Sequence, residues 1–136
     1  MINRLFKVAI IGAGIGKEHL NAFNMQLDRF SVKYICDLDV DKAKRLISNN
    51  NTKITEDYEE VLTDDEIDLI DICLPPDLHF EYVKKALEAG KHVICEKPLA
   101  GSLEEVDQLI KISQITKKNI YPVFQYRFGK GTKQLN

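Results

Sequence analysis

The feature that most constrains this chain is a regular alternation of short apolar runs with segments of helical period. The runs are rich in Ile and Val and nearly continuous, as strands covered on both faces by helices are. They span residues 7–11, 32–36, 53–55, 69–74, 92–95 and 120–124. We therefore predict six parallel strands.

The segments between these runs place apolar residues on one side of a helix. The predicted faces are Ile15, His19, Ala22, Phe23 and Leu27; then Val40, Ala43 and Ile47; then Phe80, Val83 and Leu87. Residues 57–62 predict a further short helix, Gly90 predicts a helix end, and Ser102 with Glu105 predicts a capping box. Six βα units predict an α/β fold, a doubly wound parallel sheet in a three-layer αβα single domain, with strand order 3-2-1-4-5-6.

Composition narrows the class of protein. The 136 residues are 44% hydrophobic and 29% charged, which fits one globular domain with its own core. Nineteen basic against twenty-one acidic residues give a net charge of -2, so we expect no nucleic-acid partner. The apolar runs are too short to cross a membrane, and the start of the chain lacks a signal-peptide pattern, so we expect residence in the cytosol. Three cysteines without Cys-x-x-Cys spacing predict reduced thiols and no zinc site.

A glycine-rich turn, G-A-G-I-G at residues 12–16, follows the first strand and leads directly into a helix. Without side chains, the backbone can turn tightly and bring a pyrophosphate to the N–H groups of the helix start. Lys17 stands where the G-x-G-x-x-G pattern has its third glycine. We predict a phosphate-binding turn; the alternative is a tight strand-to-helix turn without a ligand.

The second strand ends at Asp37, about 20 residues after the glycine turn, where an acidic residue binds the adenosine ribose in dinucleotide-binding folds. Asp39 is predicted to cap the next helix. Because two carboxylates repel a 2′-phosphate and no Arg follows Asp37, the pattern favours NAD over NADP.

In a doubly wound sheet the ligand crevice lies at the carboxyl ends of the strands, and the residues that end the fourth and fifth strands would face it. After Pro75 and Pro76, Asp77 is predicted to cap a helix whose first turn holds His79, either in contact with a ligand or at the surface. The fifth strand ends in Glu96-Lys97-Pro98, where Lys97 could position a hydroxyl and tune its proton transfer, or could be an exposed lysine beside Glu96. We predict His19 to be a buried, hydrogen-bonded core residue, whereas Asp71 inside an apolar strand has no explanation.

Five segments taken together are similar to one known family. They read GAGIGKEH at residues 12–19, CD at 36–37, PPDLH at 75–79, AGKHVICEKPL at 89–99 and YRF at 126–128. The combination resembles the amino-terminal, NAD(P)-binding Rossmann domain of the Gfo/Idh/MocA oxidoreductases, named for glucose-fructose oxidoreductase and inositol dehydrogenase. The glycine turn is one residue shorter than the common form, while His19 stays in register.

The resemblance implies an NAD(P)-dependent oxidoreductase that acts on a sugar, nucleotide sugar, inositol or related hydroxy compound. It implies that Lys97 is the catalytic residue, near the nicotinamide and the substrate. The implied cofactor-contacting residues are Gly12, Gly14, Ile15, Gly16, Asp37, Leu74, Pro75, Pro76, His79, Glu96 and Lys97.

The resemblance also sets the expected domain boundaries. We expect the Rossmann domain at residues 1–128 and the start of a linker to a C-terminal substrate domain at 129–136. Only eight residues follow Phe128, so the substrate pocket, a proton-transferring histidine and the usual oligomer interface would be absent from this chain. The isolated chain is therefore predicted to bind dinucleotide without turnover and to self-associate weakly.

Two other functions remain open at the level of sequence. S-adenosylmethionine-dependent methyltransferases also use G-x-G-x-G and an acid after the second strand, but they usually have an acid shortly before the first glycine, where Ile10 and Ile11 stand here. A free-standing, non-enzymatic nucleotide-sensing module is the other alternative.

Overall fold

The computed structural model describes residues 5–26, 28–47 and 51–123. Six strands form one parallel sheet in the order β3-β2-β1-β4-β5-β6. They are β1 (Phe6–Ile11), β2 (Phe30–Cys36), β3 (Lys53–Thr55), β4 (Leu69–Ile72), β5 (His92–Glu96) and β6 (Ile120–Val123). The helices are α1 (Gly16–Asn24), α2 (Val40–Lys44), α3 (Tyr58–Leu62), α4 (His79–Glu88) and α5 (Leu103–Thr116). The predicted fold class and strand order are confirmed.

Two apolar layers flank the sheet, because successive strand residues point to opposite faces. On one face, Ile10 and Ile35 pack with Leu20 and Phe23 of α1 and with Ala43 of α2. The opposite face forms the larger core with α3, α4 and α5; it includes Ile11, Ile72, Val61, Val83, Leu87, Val93 and Leu109. Among the described residues, no helix is both long and apolar enough to cross a membrane.

Several predicted boundaries move by a few residues. Strand β4 ends at Ile72, before the predicted Leu74, since the chain turns there toward Pro75 and a 3-10 turn over Pro76–Leu78. Ile15 was predicted on the apolar face of the first helix, but it precedes α1 as its N-cap and is 42% exposed. Leu27, Phe124 and the YRF segment lie outside the described residues.

Three ends of the helices α4 and α5 test the sequence predictions directly. The Ser102 side chain accepts from the Glu105 N–H at 3.2 Å, which confirms the predicted cap. The Glu105 carboxylate accepts from the Gly101 N–H at 3.0 Å, so the reciprocal bond of the capping box goes to the residue before the cap rather than to Ser102. Gly90 adopts φ of 80° just after α4 and confirms the predicted helix end. The predicted Asp77 cap is wrong, because Asp77 lies inside the 3-10 turn and α4 begins only at His79.

Candidate functional site

A cavity of about 460 Å³ opens at the carboxyl ends of the strands, where the winding of the sheet reverses between β1 and β4. Its lining residues come from the ends of β1, β2, β4 and β5, from the loops that follow them and from the helices α2 and α4. They are Gly12, Ala13, Gly14, Ile15, Asp37, Lys42, Ile72, Cys73, Leu74, Pro75, Pro76, His79, Glu96 and Lys97. All the predicted cofactor-contacting residues are among them except Gly16.

Gly12 makes the tight turn out of β1. Its φ is 105°, and a Cβ atom at this position would lie 2.4 Å from the backbone oxygen of Cys73. Its N–H donates to the Cys36 oxygen at 2.8 Å, so β2 and β4 both approach this residue. Only glycine allows this conformation and this approach.

Gly16 acts on the packing of α1 and does not line the cavity. A Cβ atom there would lie 2.8 Å from Cγ2 of Ile10, a fully buried residue of β1. The missing side chain therefore lets α1 lie close against the sheet. Helix–strand packing is the role that the third glycine has in the longer G-x-G-x-x-G pattern.

The amino terminus of α1 presents backbone donors at the cavity. Ile15 is the N-cap residue, and within the described ranges no side-chain hydrogen bond caps this helix end. Gly14 is exposed at the turn and lines the cavity. N–H groups and a positive dipole end in this position suit a bound anion.

Asp37 is fixed at the edge of the cavity by two backbone hydrogen bonds. Its Oδ2 accepts from the Ala13 N–H at 2.7 Å and its Oδ1 accepts from the Asp39 N–H at 2.8 Å. The carboxylate thereby ties the end of β2 to the glycine turn. Asp39 caps α2 as predicted, since its side chain accepts from the Lys42 N–H at 3.0 Å.

Lys42 is a cavity residue that the sequence analysis missed. Its Nζ would lie 3.4 Å from a Cβ atom built on Gly14, so the ammonium group stands over the glycine turn. A cation was expected only directly after Asp37. The signal for Lys42 is its position in the first turn of α2, three residues after the Asp39 cap.

His79 joins the ends of two strands. Its side chain is buried, with Nδ1 lying 2.6 Å from the Pro98 oxygen and Nε2 lying 2.8 Å from the Leu74 oxygen. A neutral ring can donate to one of these carbonyls, and a protonated ring can donate to both. The surface alternative for His79 is therefore wrong, and the ring supports one wall of the cavity.

Glu96 and Lys97 close the other end of the cavity. Glu96 is the last residue of β5 and is 9% exposed, whereas Lys97 follows the strand and is exposed. Both line the cavity. The strand end thus presents an ammonium group at the surface of the crevice with a carboxylate beneath it.

His19 and Asp71 form a hydrogen-bonded pair behind this end of the cavity. The His19 Nδ1 lies 2.6 Å from Oδ2 of the fully buried Asp71, which confirms the predicted hydrogen bond and explains Asp71. The predicted burial holds only in part, because the His19 ring is half-buried. Burial lowers the pKa of His19, but the hydrogen bond to Asp71 and the charges of Asp71 and Glu96 outweigh it and raise the pKa. The ring therefore retains a second proton to higher pH than an ordinary histidine.

The thiols near the crevice are not activated. Burial raises the pKa of Cys36 and of Cys95 to about 12, and burial with the charge of Asp71 raises that of Cys73. His19, Asp71 and Cys73 bring possible metal-ligand atoms within 4.8 Å of one another. Two ligand atoms on one tetrahedral zinc ion stand roughly 3.3 Å apart. His19 Nδ1 and Asp71 Oδ2 are only 2.6 Å apart, which is a hydrogen-bond distance, so this arrangement does not fit a zinc site.

Comparison with known families matches residues 6–124 to a model described as "Oxidoreductase family, NAD-binding Rossmann fold". An uncharacterized oxidoreductase of Bacillus subtilis, YrbE, is 34% identical over 93% of this chain and 37% of its own length. The D-glucoside 3-dehydrogenase of Escherichia coli is 31% identical over 99% of this chain and 39% of its own length. This chain thus spans about two fifths of the length of each of these two relatives.

Solved structures share the fold. The 3-ketoreductase KijD10 from Actinomadura kijaniata, in complex with NADP, superposes with a TM-score of 0.85 at 27% identity, over 97% of this chain and 42% of that one. The WlbA dehydrogenase from Chromobacterium violaceum, in complex with NADH and UDP-GlcNAcA, gives a TM-score of 0.86 at 26% identity, over 99% of this chain and 39% of that one. Similar structures therefore hold both kinds of dinucleotide.

Proposed function

Since this chain belongs to the Gfo/Idh/MocA oxidoreductase family and forms its NAD-binding Rossmann domain, we propose that it is the cofactor-binding part of an NAD-dependent dehydrogenase. The proposed substrate is a hydroxyl of a sugar, nucleotide sugar or polyol. The observation that carries the proposal is the single cavity in which the glycine turn, the Asp37 carboxylate and the Lys97 ammonium group come together. Family membership argues against the methyltransferase alternative.

The cavity divides naturally into three parts. The pyrophosphate would lie on the turn of Gly12, Gly14 and Ile15, at the amino terminus of α1, with Gly16 holding the helix in place. Leu74, Pro75, Pro76 and His79 would form the wall beside the dinucleotide. Glu96 and Lys97 would stand at the nicotinamide end.

We propose NAD rather than NADP because of Asp37. Its two backbone hydrogen bonds fix a carboxylate where the adenosine ribose hydroxyls would lie, and that charge repels a 2′-phosphate. Lys42 acts in the opposite direction, since its ammonium group stands beside the glycine turn and could attract any of the phosphates. The fixed carboxylate dominates, because Lys42 is a flexible point charge without a fixed geometry.

Lys97 is proposed to assist the proton transfer that accompanies hydride transfer. A bound nicotinamide supplies the hydride acceptor or donor. The Lys97 ammonium group, exposed at the strand end, would hold the substrate hydroxyl by a hydrogen bond; as the carbon is oxidised, its hydride would pass to the nicotinamide and the hydroxyl proton to solvent. The rest of the substrate site would come from protein beyond these 136 residues.

Calorimetric titration with NADH, NADPH and S-adenosylmethionine tests this function. We expect NADH to bind most tightly, NADPH more weakly and S-adenosylmethionine not at all. Binding of S-adenosylmethionine alone would restore the methyltransferase alternative. Binding of NADH by a full-length protein that shows no dehydrogenase activity on any sugar or polyol would favour the nucleotide-sensing module.

A further inference from the structure

Three polar side chains form a network, Asp71–His19–Glu96, behind the nicotinamide end of the crevice. Asp71 lies in the middle of β4, His19 in the first turns of α1 and Glu96 at the end of β5. The His19 ring stands between the two carboxylates, with Nδ1 2.6 Å from Asp71 Oδ2 and Nε2 3.5 Å from Glu96 Oε2. Cys73, the other titratable group facing the ring, has its sulfur 3.4 Å from Nδ1.

The Asp71–His19–Glu96 network connects the segments that build the crevice. His19 follows Gly16 by one helical turn, so its backbone moves with the phosphate-binding end of α1. Asp71 precedes Cys73, whose backbone oxygen packs against Gly12. Glu96 is directly followed by Lys97. The ring therefore links the glycine turn, the end of β4 and the end of β5.

A contribution to folding stability does not by itself explain the Asp71–His19–Glu96 network. A fully buried carboxylate is costly to desolvate, and replacing a buried ion pair with apolar residues often stabilises a protein. Asp71 occupies a strand whose other residues, Leu69, Ile70 and Ile72, are all apolar and buried. An apolar residue at position 71 would suit the core equally well, but it would leave His19 without its partner.

We propose, on the basis of the function proposed above, that His19 is a positioning residue that holds the Glu96–Lys97 strand end against the phosphate-binding turn. A protonated ring has two N–H groups, one facing Asp71 and one facing Glu96. Asp71 orients the ring through a hydrogen bond, whereas Nε2 faces Glu96 Oε2 at 3.5 Å, an ion-pair contact rather than a hydrogen bond. Lys97 is thereby fixed relative to the dinucleotide, although His19 does not line the cavity.

The pKa of His19 supports this role. Asp71 and Glu96 raise this pKa above the ordinary value of 6.5 against the effect of burial, so the second N–H persists to higher pH than in an ordinary histidine and is lost as pH rises through the raised value. Loss of that proton removes one of the two contacts. The position of the strand end, and with it the affinity for dinucleotide, should therefore weaken toward alkaline pH.

The first test is fluorescence titration of the 136-residue chain with NADH from about pH 6 to pH 9, which starts near the pKa of an ordinary histidine and extends above it. Wild-type affinity should fall as pH rises. His19→Gln should bind about tenfold more weakly at the acidic end, the effect of one hydrogen bond to a charged group, and its affinity should not change with pH. Asp71→Asn should move the wild-type midpoint to lower pH.

His92→Gln is the matched control. His92 is a half-buried histidine at the amino end of β5, and burial followed by the charge of Lys118 lowers its pKa. This variant should retain both the affinity and the pH profile of the wild type. A folded His19→Gln chain with wild-type affinity and profile would overturn the proposal.

NMR of the wild type without dinucleotide separates this proposal from the function on which it rests. The backbone amide signals of Glu96 and Lys97 should shift with the same midpoint as the His19 ring. Lys97 signals that do not respond to this titration would overturn the positioning role, whether or not the variants fold. Failure of NADH and NADPH to bind, with the amide titration intact, would overturn the proposed function and leave the positioning of the strand end supported.

Discussion

Asp37 accepts two backbone hydrogen bonds while its carboxylate lines the crevice. Asp37→Ala should weaken NADH binding at least tenfold, since a charge-assisted hydrogen bond contributes about 1.5 to 3 kcal/mol. Part of that loss comes from the glycine turn, because the Ala13 N–H loses its acceptor. Calorimetry on Asp37→Asn separates the two effects.

Asp37→Asn retains an oxygen acceptor for the turn but removes the charge. It should therefore raise the affinity for NADPH relative to NADH. Asp39→Asn, at the exposed cap two residues later, should leave this ratio unchanged. Preference of the wild type for NADPH would show that the assignment of Asp37 is wrong and that Lys42 determines the choice.

Lys97 should matter for chemistry more than for holding the cofactor, because it is exposed at the far end of the crevice from Asp37. Lys97→Ala should leave NADH affinity within a few fold, whereas kcat of the full-length protein should fall about a hundredfold or more, as is typical of acid–base groups. Lys84→Ala, on the exposed side of α4, is the control. An unchanged kcat would return Lys97 to the alternative of an ordinary surface lysine.

At the scale of elements, the packing of α1 against β1 depends on Gly16. The added methyl group of Gly16→Ala would lie 2.8 Å from a branch methyl of the fully buried Ile10. Overpacking of this kind costs about 1 to 3 kcal/mol, and displacement of α1 should weaken NADH binding as well. Urea denaturation and NADH titration measure the two effects.

Gly101→Ala provides the comparison for that experiment. A Cβ atom at Gly101 meets only the Glu105 carboxylate, at an ordinary distance of 3.5 Å. This change should alter the free energy of unfolding by no more than about 0.5 kcal/mol. Equal losses in the two variants would mean that close packing at Gly16 is not the reason for a glycine there.

The elements were predictable to the extent that local patterns determine them. Apolar runs, capping residues and βα alternation gave the strand order and the Ser102 cap. Asp77 failed as a cap because Pro76 starts a 3-10 turn that sequence pattern alone does not reveal. The His19–Asp71 pair joins residues 52 positions apart, and no local rule brings an α1 side chain to the middle of β4.

Across the molecule, the described residues leave one face of the sheet partly uncovered. A second cavity of about 310 Å³ is lined by Phe6, Phe30, Leu69, His92, Ile94 and Tyr121, and the first and last of these are each 48% exposed. We expect weak self-association through this apolar face. Sedimentation should show a concentration-dependent dimer in the wild type and a monomer in Tyr121→Lys; equal behaviour of the two would place any contact elsewhere.

On their own, these 136 residues should bind a dinucleotide without oxidising a substrate. The described part of the chain contains a six-stranded sheet with helices on both faces and a cavity lined by the glycine turn, Asp37 and Lys97. We therefore expect the purified chain to fold and to bind NADH.

Turnover requires more than binding. Positioning of a reactant against a catalytic group supplies about 7 to 11 kcal/mol of barrier lowering. The chain spans only 39% of the length of the D-glucoside 3-dehydrogenase to which it is similar, so we expect most of what would fix a hydroxyl against the nicotinamide to lie outside it. NADH absorbance should stay constant when the chain is mixed with NAD and a panel of sugars, polyols and nucleotide sugars. Steady NADH formation would mean instead that the crevice of this domain already contains a full substrate site.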